Sequence, residues 1–111
     1  MAYSRVCDVD AVWEGDMEEV QVDGHDVLLV WPQGGSLTAY QAMCPHQEVA
    51  LIDGRFDGRT LTCRAHNWIF DACTGKGVNP SDCELSRYPL KIVDGQVLVD
   101  LDVEVRRFTH T

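Results

Sequence analysis

The chain has 111 residues, enough for one domain that buries a core without disulfide staples, and its 45% apolar content excludes disorder for most of the length. Eighteen acidic against nine basic residues give a net charge of −9. That balance argues against nucleic acid and anionic membrane as partners, since both reward Lys and Arg; it serves solubility or steers the protein towards positively charged partner surfaces.

Met1 to Val12 carries Arg5, Asp8 and Asp10 and lacks the apolar core of a secretory signal, and no apolar run approaches the ~18–20 residues of a membrane span. A cytoplasmic, monomeric protein with no membrane contact is expected. In a reducing cytosol its five cysteines are metal ligands or free thiols rather than a disulfide framework.

Tyr3 to Val9 reads as a strand, and Asp10 to Trp13 as a single helical turn. Asp-Gly pairs punctuate the rest of the chain, at Asp23-Gly24, Asp53-Gly54, Asp57-Gly58 and Asp94-Gly95. Between apolar runs such a pair signals a two-residue hairpin turn, because a type I′ turn needs positive φ at both positions. Val20 and Val22 precede the first pair and Val27 to Trp31 follow it. Tyr88, Leu90 and Ile92 alternate into the last pair, and Val97, Val99 and Leu101 alternate out of it.

Pro32 to Ser36 is a loop. Leu37 to Met43 reads as a strand running into Cys44, and Thr60 to Cys63 as a short strand running to a second such point. Thr74 to Cys83 reads as irregular. No window of eleven residues shows helical periodicity. The expected architecture is all-β, an antiparallel sandwich or small barrel formed by a single domain over residues 1–111, with residues 102–111 as a polar tail.

The chemistry concentrates in two pairs. Cys44-Pro45-His46 and Cys63-Arg64-Ala65-His66 each offer a thiolate and an imidazole, with sixteen residues between His46 and Cys63. Each pair follows a strand, so two β-loops can clamp a metal group between their tips. Two readings compete. A Rieske 2Fe–2S centre takes two Cys on one iron and two His on the other. A structural zinc site takes four such ligands on one ion. Zinc fingers, however, pair Cys with Cys and His with His around an apolar helix. The alternating order on β-loops favours the iron–sulfur centre. Charge explains the imidazoles: an oxidised 2Fe–2S core carries +2, so two thiolates neutralise it and the site accepts an electron more readily than one with four.

Cys44-Pro45-His46-Gln47-Glu48 together with Cys63-Arg64-Ala65-His66-Asn67-Trp68 resembles the small Rieske ferredoxins of multicomponent toluene and alkene monooxygenases. The resemblance extends from the opening strand through Tyr88-Pro89 to the final hairpin. It implies a Rieske fold whose cluster-binding subdomain of two β-loops spans about residues 43–83. It also implies one Rieske 2Fe–2S cluster, with Cys44 and Cys63 on one iron and His46 and His66 on the other. Such a protein is not an enzyme by itself. It carries single electrons from an NADH-dependent flavin reductase to a di-iron hydroxylase, and the exposed edges of His46 and His66 are the expected doorway. The ferredoxin of a ring-hydroxylating dioxygenase is the nearest alternative, and a structural zinc module is the alternative of a different class. Respiratory Rieske proteins add two disulfide-forming cysteines where this chain has Val49 and Ala65. They also place hydroxyl donors where it has Trp68 and Phe70. Fewer donors near the cluster imply a reduction potential towards the low end of the Rieske range.

Around the ligands, Pro45 stiffens the first loop, Gln47 and Glu48 sit at its tip for partner contact, and Trp68 stands beside the second loop as a supporting or docking residue. Asn79-Pro80-Ser81 is expected to shield one side of the cluster. Cys7 reads as a small core residue, while Cys73 and Cys83 flank the Gly- and Pro-rich segment. His25 and His110 read as solvated, Trp13 and Trp31 as core or edge residues, and the acidic group from Asp10 to Asp26 as a solvated face.

Overall fold

The computed structural model describes residues 3–22, 24–43, 50–64, 68–79 and 84–101. Among the described residues eleven strands run in chain order: β1 (Tyr3–Asp8), β2 (Met17–Val22), β3 (His25–Val30), β4 (Thr38–Gln41), β5 (Arg55–Phe56), β6 (Thr60–Thr62), β7 (Ile69–Asp71), β8 (Gly77–Asn79), β9 (Arg87–Tyr88), β10 (Leu90–Val93) and β11 (Gln96–Asp100). Two 3₁₀ turns, Val9–Ala11 and Leu51–Asp53, complete the described elements. The protein is all-β and antiparallel throughout these residues, as expected.

The strands form three sheets, ordered β1-β11-β10, β2-β3-β4-β9 and β5-β6-β7-β8. The β2-β3-β4-β9 sheet is the middle layer, and the unbroken apolar run Val27 to Val30 shows why. Successive strand side chains point to opposite faces. Val27 and Leu29, with Ala39 and Tyr88, pack against Val97 and Val99 of the first sheet. Leu28 and Val30, with Tyr40 and Ala42, pack against Leu61 and Phe70 of the third. A strand buried on both faces has no solvent side, so its sequence loses the polar alternation.

The Asp-Gly pairs divide by context. In the β10–β11 hairpin Val93 pairs with Gln96, and Asp94 and Gly95 have φ of 53° and 75°, as a type I′ turn requires. The β2–β3 hairpin likewise closes from Val22 to His25, with Gly24 at φ 80°. At the β5–β6 connection the Asp57 carboxylate accepts the N–H groups of Arg59 and Thr60 at 2.9 and 2.7 Å. Asp53-Gly54 is no hairpin turn. It ends the Leu51–Asp53 3₁₀ turn, and Gly54 has φ −87°.

Two further expectations change. The helical turn begins one residue early, at Val9, where the Val9 N–H donates to Gly95 O at 2.8 Å. The Thr74 to Cys83 segment includes β8, paired to β7 across a register shift. Residues 80–83 lie outside the described residues, as does the 102–111 tail.

Candidate metal centre

Both proposed ligand pairs grow from strand ends that the backbone ties shut. Met43 and Ala50 are antiparallel bridge partners, and the Leu51 N–H donates to Ala42 O at 2.8 Å. The chain therefore leaves the middle sheet at Met43 and returns beside it at Ala50. Thirteen residues beyond Ala50, the Cys63 N–H donates to Trp68 O at 2.7 Å and closes the base of the second loop. Residues 44–49 and 65–67 between these closures lie outside the described residues. Cys44, Pro45, His46, Gln47, Glu48 and His66 fall there, with Val49, Ala65 and Asn67, and Pro80 and Cys83 fall in residues 80–83.

The two bases share one apolar cluster. Ala42 and Leu51 from the first base lie in it with Leu61, Cys63, Trp68 and Phe70 from the second. Cys63, the expected ligand within the described residues, is fully buried at the end of β6. Trp68 is 7% exposed and tilted at 45° to Phe70, with ring centroids 6.4 Å apart. It stands beneath the second loop and leaves little ring surface for a partner to touch.

The close approach of the two bases depends on a glycine. A Cβ at Gly54 would lie 2.0 Å from Thr62 O, one residue before Cys63. The backbone after the first loop thus presses on the strand that leads to the second, and only glycine leaves room. The signal in the sequence was the Asp-Gly pair itself, whose glycine is used for proximity rather than for positive φ. A second missed contact lies behind the cluster region. Tyr40, fully buried in the middle sheet, donates its hydroxyl to Ala72 O at 2.7 Å. Burial raises its pKa, so the phenol remains a donor across the ordinary range.

Charge collects beside the first base. Glu19 has a raised pKa, first from burial and then from the carboxylates of Asp26 and Asp53. Asp53 ends the turn after the first loop, and the Asp26 carbonyl accepts the Ala42 N–H at 3.2 Å. Among the described residues no three His, Cys, Asp or Glu groups approach closely enough to hold a metal by themselves.

The donor set fits an iron–sulfur group. A buried thiol where the second loop closes, over the apolar cluster it shares with the closure of the first, and a second Cys and two His in the sequence between those closures, are the donors such a group needs. The Rieske [2Fe-2S] domain family matches residues 2–89. The chain belongs to that family. As a Rieske domain it carries one [2Fe-2S] cluster, and the zinc alternative is thereby set aside.

Relatives narrow the class. The Rieske chain is 43% identical over 99 residues to the ferredoxin component of the alkene monooxygenase system of Xanthobacter autotrophicus, covering 87% of this chain and 80% of that one. It is 34% identical over 91 residues to the ferredoxin component of the naphthalene 1,2-dioxygenase system of Pseudomonas putida, covering 81% and 86%. Among solved structures, the ferredoxin of carbazole 1,9a-dioxygenase from Nocardioides aromaticivorans superposes with a TM-score of 0.76 at 27% identity, over 89% of this chain and 97% of the other.

The remaining residues are placed simply. Cys7 is half-buried against the outer core, and burial followed by Asp8 raises its thiol pKa. Cys73 and His25 are exposed. Trp31 packs partly against the outer core, but Trp13 is 75% exposed and belongs to no core. No helix among the described residues is long and apolar enough to cross a membrane.

Proposed function

We propose that this Rieske chain is the ferredoxin of an alkene or aromatic di-iron monooxygenase system. In this role it passes single electrons from an NADH-dependent reductase to the hydroxylase. The observation that carries the reading is the 43% identity to an alkene monooxygenase ferredoxin over most of both chains. In this reading residues 1–111 act as one Rieske unit in the cytoplasm, and the segment of about 43–83 binds the cluster.

Cys44 and Cys63 hold one iron and His46 and His66 the other. The group supplies a site that stores one electron and releases it. The protein's part is to fix its position and its surroundings. Cys63 anchors the second loop in the apolar cluster, and Trp68 and Phe70 keep water from that side. Neither offers the hydroxyl found in respiratory relatives, which supports a potential low in the Rieske range of roughly −150 to +300 mV. The imidazole edges of His46 and His66 serve as the doorway, with Gln47, Glu48 and Pro80 around it. Partners that exchange electrons there take turns at one tip.

Reconstitution tests this. NADH-driven turnover by a reductase and a di-iron hydroxylase should require the protein, which should be red-brown and give a rhombic electron-spin signal when reduced. The second reading, a dioxygenase ferredoxin, draws on the 34% identity to the naphthalene system. Faster support of a Rieske dioxygenase than of any di-iron hydroxylase would replace the first reading with the second.

A further inference from the structure

At the end of the middle sheet away from the ligand loops, two tryptophans flank an open cleft of about 610 Å³ lined by Val9, Asp10, Val12, Trp13, Glu14 and Trp31. Val12 in its lining is buried. The cleft is built rather than accidental. The Gly15 N–H donates to Trp31 O at 2.6 Å and the Trp31 N–H to Asp16 O at 3.0 Å, so backbone pairs cross-link the two Trp-bearing segments. The Trp31 indole N–H donates to Gly35 O at 3.2 Å, which orients that ring. The Glu14 carboxylate accepts the Gly34 N–H at 2.9 Å, which fixes the rim. The Trp31 wall and the Glu14 rim, held in this way, lose little freedom when something binds. Trp13 nevertheless stays 75% exposed, the largest exposure among the large apolar side chains described.

The position is distal to electron exchange. β3 begins at His25, where Asp26 meets Ala42 just before the first ligand loop, and ends at Val30, beside Trp31. At about 3.3 Å per residue the cleft lies roughly 17 Å along the sheet from the loop base.

We propose that this cleft docks an arginine-bearing loop of the hydroxylase and tethers it while the ligand-loop tip exchanges electrons. The inference rests on reading the chain as a hydroxylase's electron carrier. The rim carboxylates Asp10 and Glu14 and the net charge of −9 select a cation. A second copy would bring the same charge and be repelled. A guanidinium suits the walls better than an ammonium, because its plane stacks on an indole while its N–H groups pair with a carboxylate. The electron count assigns the partner. Monooxygenation converts RH, O₂, two electrons and two protons into ROH and water. The reductase supplies the electrons one at a time, so the carrier must serve its hydroxylase twice per product. A distal grip makes the second delivery effectively intramolecular.

The test uses the cluster-loaded protein with purified hydroxylase and reductase. Trp13→Ala should raise the Kd for the hydroxylase by about tenfold, Trp13→Phe should retain part of the affinity, and Asp10→Asn should flatten the salt dependence. The electron-spin signal, the potential and the Kd for the reductase should stay unchanged in all three. An unchanged hydroxylase Kd in Trp13→Ala overturns the tether but leaves the ferredoxin reading intact, provided the wild-type protein supports turnover. An equal loss of affinity for the reductase overturns the assignment of partner. A wild-type protein that neither binds nor reduces the hydroxylase overturns both.

Discussion

The Tyr40 hydroxyl donates a 2.7 Å hydrogen bond to the carbonyl of Ala72, thirty-two residues away, and so ties the middle sheet to the sheet that carries Cys63. Ala72 follows β7, and its own N–H donates to Arg59 O at 2.9 Å, just before β6. Gly75 then passes so close that a Cβ there would lie 2.8 Å from the Tyr40 ring. One buried phenol thus sets how the cluster-side sheet sits on the layer beneath it.

Tyr40→Phe should destabilise the protein by about 1–3 kcal/mol, because it strands a buried carbonyl while conserving ring volume. Gly75→Ala should cost more, since its φ of 80° is unfavourable for alanine and the methyl would collide with the ring. Denaturant titration of both variants checks this. Tyr40→Phe as stable as wild type would show that the bond adds nothing.

Gly54→Ala should affect the metal centre before it affects the outer core. Its methyl would strike Thr62 O and push apart the two loop bases. The expected result is a lower iron content per chain and weaker visible absorbance, with strand content by circular dichroism largely kept. Full iron loading of this variant would refute the close approach.

His66→Cys should lower the reduction potential if the cluster assembles. A third thiolate takes the oxidised site from neutral to −1, moving it from the Rieske range towards the roughly −400 mV of four-cysteine clusters. Voltammetry gives the value directly. A potential equal to or above that of the wild type would contradict the charge argument.

Asp57 makes a pH-dependent contribution of known sign. N–H groups of Thr60 and Arg59, with the Thr60 hydroxyl, hold its pKa below the ordinary carboxylate value. An acid with a depressed folded pKa stabilises the fold above its unfolded value, about 3.9, and loses that contribution as pH falls through the folded pKa. The melting temperature of Asp57→Ala should therefore lie below that of the wild type at about pH 7, with the gap closing towards about pH 3. A gap of constant size would point to lost packing instead.

Features with a local cause were legible in the chain. Asp94-Gly95 between alternating apolar residues determines its own hairpin, because few other pairs adopt positive φ twice. The two Cys-x-His and Cys-x-x-His pairs carry their chemistry in residue type and order, and they sufficed to expect a Rieske centre, which the family match supports. β7 and β8, three residues each, are too short to show a period, and their pairing is a property of the neighbours they meet. Trp13 reads as a core or edge residue, yet it is 75% exposed, because hydrophobicity says nothing about which side of a backbone faces solvent. Gly54 reads as a turn residue because sequence cannot distinguish a glycine needed for positive φ from one needed for contact with a distant strand. The expected ligand types were therefore legible along the chain. The shared apolar base beneath the ligand loops was decided by the tertiary structure, through non-local burial and through Gly54, where one methyl group would not fit.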